Sequence, residues 1–115
     1  MNIYTIKIIL HSQLELASSE KLRDMKRYIA RKAVLARETL MTYRVVRLAL
    51  VGALDAAAKA KSKELFVSEL ERAIKIIAQY EEVAPLLKTL EKCHSNESKQ
   101  AAASILSRFE QLHNG

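Results

Sequence analysis

A chain of 115 residues, half of them apolar, is the size of one ordinary domain and can fill one hydrophobic core. Two glycines (Gly52, Gly115) and one proline (Pro85) are too few for the tight turns of a sheet-rich fold, and the single Cys93 excludes an intramolecular disulfide framework. The formal charge of +6 is regional: residues 1–19 are neutral, 20–63 carry +8 and 64–115 carry −2.

In chain order, residues 3–17 place Ile3, Ile6, Ile9, Leu10, Leu14 and Leu16 at helical spacings, although the β-branched opening at 3–9 also suits a short strand. Ser18 and Ser19 are candidate caps for a following helix. From 20 to 60 there is no proline and one glycine, and Leu22, Met25, Ile29, Ala36, Leu40 and Tyr43 fall on one stripe. Residues 45–54 are apolar nearly all round, as in a helix surrounded by partners. One straight helix over 20–60 would be roughly 60 Å long. A compact globule of this size has a radius of gyration near ~13 Å, so either the helix breaks or kinks near Gly52, which is favoured, or its end projects and is covered by a second chain.

The lysine-rich stretch at 58–63 reads as a helix end and turn, with Ser62 as the next cap and Ser68 with Glu71 as an alternative start. That helix carries Leu65, Phe66, Leu70, Ala73, Ile74, Ile77 and Tyr80. Pro85 suits the first turn of a further helix presenting Leu86, Leu87 and Leu90, because its missing N–H costs nothing there. Residues 94–96 read as a loop. A last helix from about Glu97 turns Ala101, Ile105, Leu106, Phe109 and Leu112 inward. The expectation is an all-α fold over 1–115: a four- to five-helix bundle, mostly antiparallel, with one long basic amphipathic helix.

Projected at 100° per residue, Arg23, Lys26, Arg27, Arg37 and Arg44 lie opposite the apolar stripe, with Arg31 at its margin. This face suits an acidic protein surface or the phosphates of a nucleic acid; a merely solvated face accounts for it equally well. Tyr28 and Tyr43 sit near the apolar side, which argues against a base-stacking platform.

Glu-x-x-His occurs at Glu91/His94 and at Glu110/His113, the spacing used in carboxylate-bridged metal bundles. The two histidines end successive antiparallel helices and so stand roughly 20 Å apart, which argues for surface residues near helix C-termini. His11 and Glu15 lie one turn apart with no third ligand at useful spacing. Cys93 and His94 are adjacent on a helix and point apart, so they form no nucleophile–base pair. No cofactor is expected.

The run Arg108-Phe-Glu-Gln-Leu-His113 resembles the Arg-x4–6-His spacing of the all-helical ribonucleases of the higher-eukaryote-and-prokaryote nucleotide-binding family. The resemblance covers six residues and departs from the family's polar residue after the arginine, which is Phe109 here; it implies a ribonuclease site at Arg108 and His113. Residues 83–90, followed by Ala101, Ala102 and Leu106, resemble one helix pair of an armadillo or HEAT solenoid, without the repeats such an array needs.

Few polar groups can converge on a pocket, so the leading expectation is a non-enzymatic binding module, an adaptor, regulator or chaperone-like bundle. It would act through protein partners, including a second copy of itself. Nucleic-acid binding through the 20–44 face is the rival, and the ribonuclease a remote one. No span approaches the ~20 apolar residues a membrane crossing needs, and a cytoplasmic location is expected.

Overall fold

The computed structural model describes residues 2–39 and 43–114. Among them are five helices and no strand: α1 (Ile3–Leu16), α2 (Leu22–Thr39), α3 (Arg44–Ala58), α4 (Lys63–Cys93) and α5 (Asn96–Asn114). The choice between strand and helix at 3–9 goes to helix. Asn2, with extended backbone, caps it by accepting from the Thr5 N–H at 2.9 Å, while Ile6 and Leu10 reach the core. Neither Ser18 nor Ser19 caps α2; the Ser19 hydroxyl turns back and donates to the Leu16 carbonyl.

The expected long helix is two helices, and the break is not at Gly52. α2 ends at Thr39 and α3 begins at Arg44, with Tyr43 in extended conformation as its cap residue. Gly52 lies well inside α3. The reason is energetic: an interior glycine costs a helix only about 1 kcal/mol, far less than tertiary packing on both sides returns. Leu40 of the predicted stripe lies outside the described residues.

The chain reverses between α2 and α3. Nearer the connection Arg37 meets Asp55, and farther from it Leu22 to Ala30 lie beside Ala58. α3 is the central helix, packed against α2, α4 and α5. Val46, Ala49, Leu50, Val51, Ala53, Leu54 and Ala57 are buried, as the all-round apolar pattern implied.

Ser62 caps α4 as expected, its hydroxyl accepting from the Leu65 N–H. Pro85 does not start a helix; it sits inside α4, which runs unbroken for 31 residues. Pro85 is exposed, so the missing hydrogen bond faces water, and the buried Leu87 keeps the helix on course beyond it. At about 46 Å, α4 sets the long axis of a 51 × 26 × 20 Å molecule, whose radius of gyration of 15.3 Å exceeds that of a compact globule.

His94 ends α4 in the left-handed conformation (φ 53°), and Ser95 and Ser98 cap α5 reciprocally, each hydroxyl accepting from the other's N–H. Phe109 is buried, and Ile105 and Leu106 are half-buried. Ala101 and Leu112, expected inward, are exposed: α5 meets α4 and α3 along a narrower stripe than its apolar pattern offers.

The core joins Ile6 and Leu10 of α1, Met25, Ile29, Ala33 and Ala36 of α2, the buried face of α3, Phe66 to Ile77 of α4, and Phe109 of α5. No helix among the described residues is long and apolar enough to cross a membrane.

Candidate partner-binding surface

The first two turns of α2 carry Arg23 and Arg27 on the side away from Met25, Ile29 and Ala33, with the half-buried Lys26 at the margin of the buried stripe. With Leu22, Ala30 and, from the end of α3, Ala58, these cations line a shallow groove of about 420 Å³. Arg23 lies 3.7 Å from the neighbouring Asp24, a long contact between exposed groups that leaves most of its charge available. Lys26 and Arg27 form no ion pair among the described residues.

The other predicted cations divide. Arg31 is exposed on the outer side of α2, away from the groove. Arg37 donates to Asp55 at 2.9 Å, which neutralises it and ties α2 to α3. Arg44 belongs to the first turn of α3, so the expected single basic face is spread over two helices.

The fold also adds cations that the helical projection missed. Lys59, Lys61 and Lys63 are all exposed, and they follow Ala58 at the end of the hairpin where α2 begins. Lys59 directly follows the groove-lining Ala58, about 35 residues from Arg23 along the chain, while Lys63 lines a separate groove with Ala17, Ser18, Glu64 and Glu71. The high charge of segment 20–63 was the one signal in the sequence. Part of this charge offsets the partial negative end of α3, while the start of α2 adds a partial positive charge of its own. Glu20, Asp24 and Glu64 are the carboxylates in these stretches, so the end of the hairpin remains net positive.

Farther along, the face changes character. Val34, Leu35 and Leu48 are 53%, 41% and 49% exposed. Val34 shares the stripe Arg23–Arg27–Ala30–Val34 along α2, and Leu48 shares the open stripe of α3 with Arg44 and Gly52. Along α2 the stripe passes from cationic to apolar, while on α3 Leu48 is flanked one turn away by the exposed Arg44.

The remaining candidates lie elsewhere. Glu91 accepts from the Tyr43 hydroxyl at 2.6 Å; burial, then this hydrogen bond and the carboxylate charge, push the Tyr43 pKa up to about 12. His113, as the Nε2–H tautomer, donates to Gln79 Oε1 and packs against Phe109 with ring centroids 4.7 Å apart. Burial, then Lys75 and Arg72, lower its pKa below the usual histidine value. Arg108 lines an α4–α5 cleft of about 220 Å³ with Gln79, Glu82, Phe109 and Leu112, and His113, bound to Gln79, stands at its margin and not in its lining. Cys93 is exposed, its thiol donating to the Thr89 carbonyl. Among the described residues no three His, Cys, Asp or Glu side chains gather as metal ligands.

Comparison with protein-family models, curated proteins and solved structures finds no match. The surface must be read on its own chemistry.

Proposed function

We propose that this protein is a non-enzymatic binding module that docks an acidic partner protein through the outward face of α2 and the groove α2 forms with α3. The observation that carries the reading is the run along α2 of the unpaired Arg27, Ala30 and the exposed Val34, beside a groove that Lys26 also lines. Each element has a use at a protein interface: cations steer and orient an acidic partner, and bare aliphatic side chains supply desolvation energy. A surface following nucleic-acid phosphates gains little from Val34 and Leu48 and is weakened by Asp24 and Glu38 on the same helix. A second copy related by a two-fold axis would lay the cationic end over the apolar end and leave Arg23, Lys26 and Arg27 without acidic partners.

The test uses the protein and its Arg23→Glu/Lys26→Glu/Arg27→Glu variant as parallel baits in extract of the native host treated with nuclease. Proteins held by the native chain in ~0.15 M salt and lost from a folded variant support the reading. Identical captures, or captures that vanish on nuclease treatment, overturn it.

A further inference from the structure

We infer that the cleft between α4 and α5 binds a free apolar amino acid, held as its zwitterion between Glu82 and Arg108 with its side chain against Phe109 and Leu112. The cleft is separate from the surface of α2, and the inference does not depend on the docking role.

α5 docks through a narrow seam, in which Phe109 is buried and Ile105 and Leu106 are half-buried. Beside that seam α4 and α5 leave a cleft of about 220 Å³. Its apolar lining is Val83 from α4 and Ile105, Phe109 and Leu112 from α5, with Leu112 a bare lip at 63% exposure. An apolar cleft that gathers a few polar groups is the usual form of a small-molecule site. This one is smaller than the ~300 Å³ at which drug-sized sites begin, so its occupant is a small metabolite.

The polar groups specify the charge of that occupant. Glu82 lines the cleft from α4 and Arg108 from α5; both are exposed, and neither forms an ion pair or a side-chain hydrogen bond with the described residues. The third group is Gln79, whose Oε1 accepts from His113, so what it offers the cleft is its amide N–H donors. A simple anion would be repelled by Glu82 and a simple cation by Arg108. A ligand carrying both signs is repelled by neither.

An apolar α-amino acid supplies those features from one carbon. Its carboxylate meets the guanidinium of Arg108, whose paired N–H donors suit a carboxylate, and its ammonium meets the carboxylate of Glu82. Its side chain, projecting from the same carbon, covers the ring of Phe109 and the bare Leu112. A dipeptide holds its charges farther apart and is too bulky for a cleft of about 220 Å³.

The probes are leucine and four relatives: 4-methylpentanoate, which lacks the ammonium; 3-methylbutylamine, which lacks the carboxylate; glycine, which lacks the side chain; and leucylleucine. Each is titrated into the isotope-labelled protein at neutral pH and followed by amide chemical shifts. Leucine is expected to shift Val83, Phe109 and Leu112 with a Kd of about 1 mM, in keeping with its few atoms and an open cleft. The three truncated compounds are expected to bind at least about fivefold more weakly. Glu82→Gln is expected to erase the advantage of leucine over 4-methylpentanoate, and Arg108→Gln its advantage over 3-methylbutylamine. Both residues are exposed, so thermal melts of the variants should match the native chain's. No shift of the three residues at about 20 mM leucine, or equal affinity for leucine and its truncated relatives, overturns the inference. An unchanged order of affinities in either variant overturns it as well. Tighter binding of leucylleucine than of leucine overturns the free amino acid as the occupant. None of these outcomes touches the docking role, which the capture experiment decides.

Discussion

Replacing Gly52 by alanine should make the isolated protein more stable, and the size of the gain follows from its surroundings. Residue 52 is eight positions from the start of α3 and six from its end, where helix propensity acts at full strength. The new methyl group would touch nothing within 4 Å, so no packing gain and no clash competes. What remains is the glycine-to-alanine difference, about 0.8–1 kcal/mol in a helix interior. For a chain of this length that is roughly a 3–6 °C rise in Tm. Urea titration and thermal melts followed by circular dichroism measure it directly, with an unchanged urea slope showing that the two states compared are the same. A loss of stability, or none gained, would refute the reasoning. Residue 52 would then be strained or crowded in the folded chain.

Pro85→Ala restores a hydrogen bond in the middle of α4 and removes a ring clash, so stability should rise by about 2 kcal/mol after allowing for the looser unfolded chain; an unchanged urea midpoint would count against an unbroken α4. Phe66→Ala empties the largest fully buried side-chain site and should cost about 3–5 kcal/mol in the same titration. Arg37→Ala breaks an exposed pair and should cost less than about 1 kcal/mol, with the difference shrinking in 1 M salt. His113 has a lowered pKa in the folded chain, so the unfolded chain binds the extra proton first as pH drops. Stability should be at its full value above about pH 6.5 and decline below it, and His113→Gln should lessen that decline in melts recorded between pH 7 and 5.

Much of the local structure is legible from residue types. The Ser62 cap, the α5 stripe around Phe109 and the apolar belt of α3 are all visible before any packing is considered. Local signals fail where a neighbour outbids them. Pro85 looks like a helix start, but the burial of Leu87 on the far side carries α4 through it. Gly52 looks like a break, but α3 is held by α2, α4 and α5, and the division falls between Thr39 and Arg44, where no glycine or proline marks it. The basic face was only partly visible: Arg23, Lys26 and Arg27 do share a groove, Arg31 lies on its outer side, Arg37 is neutralised by Asp55, and Lys59 and Lys61 join from the next helix end.

Composition and periodicity alone determined that this chain is helical, where the Ser62 cap and most inward stripes lie, and that positive charge concentrates between residues 20 and 63. Those properties depend on contacts within about four residues, which a linear reading contains. Tertiary structure alone decided where the long apolar stretch divides, which cations meet across two helices, and which aliphatic side chains remain bare beside them. These depend on how the chain doubles back, and burial energy shared among distant helices outweighs any single local preference of about 1 kcal/mol.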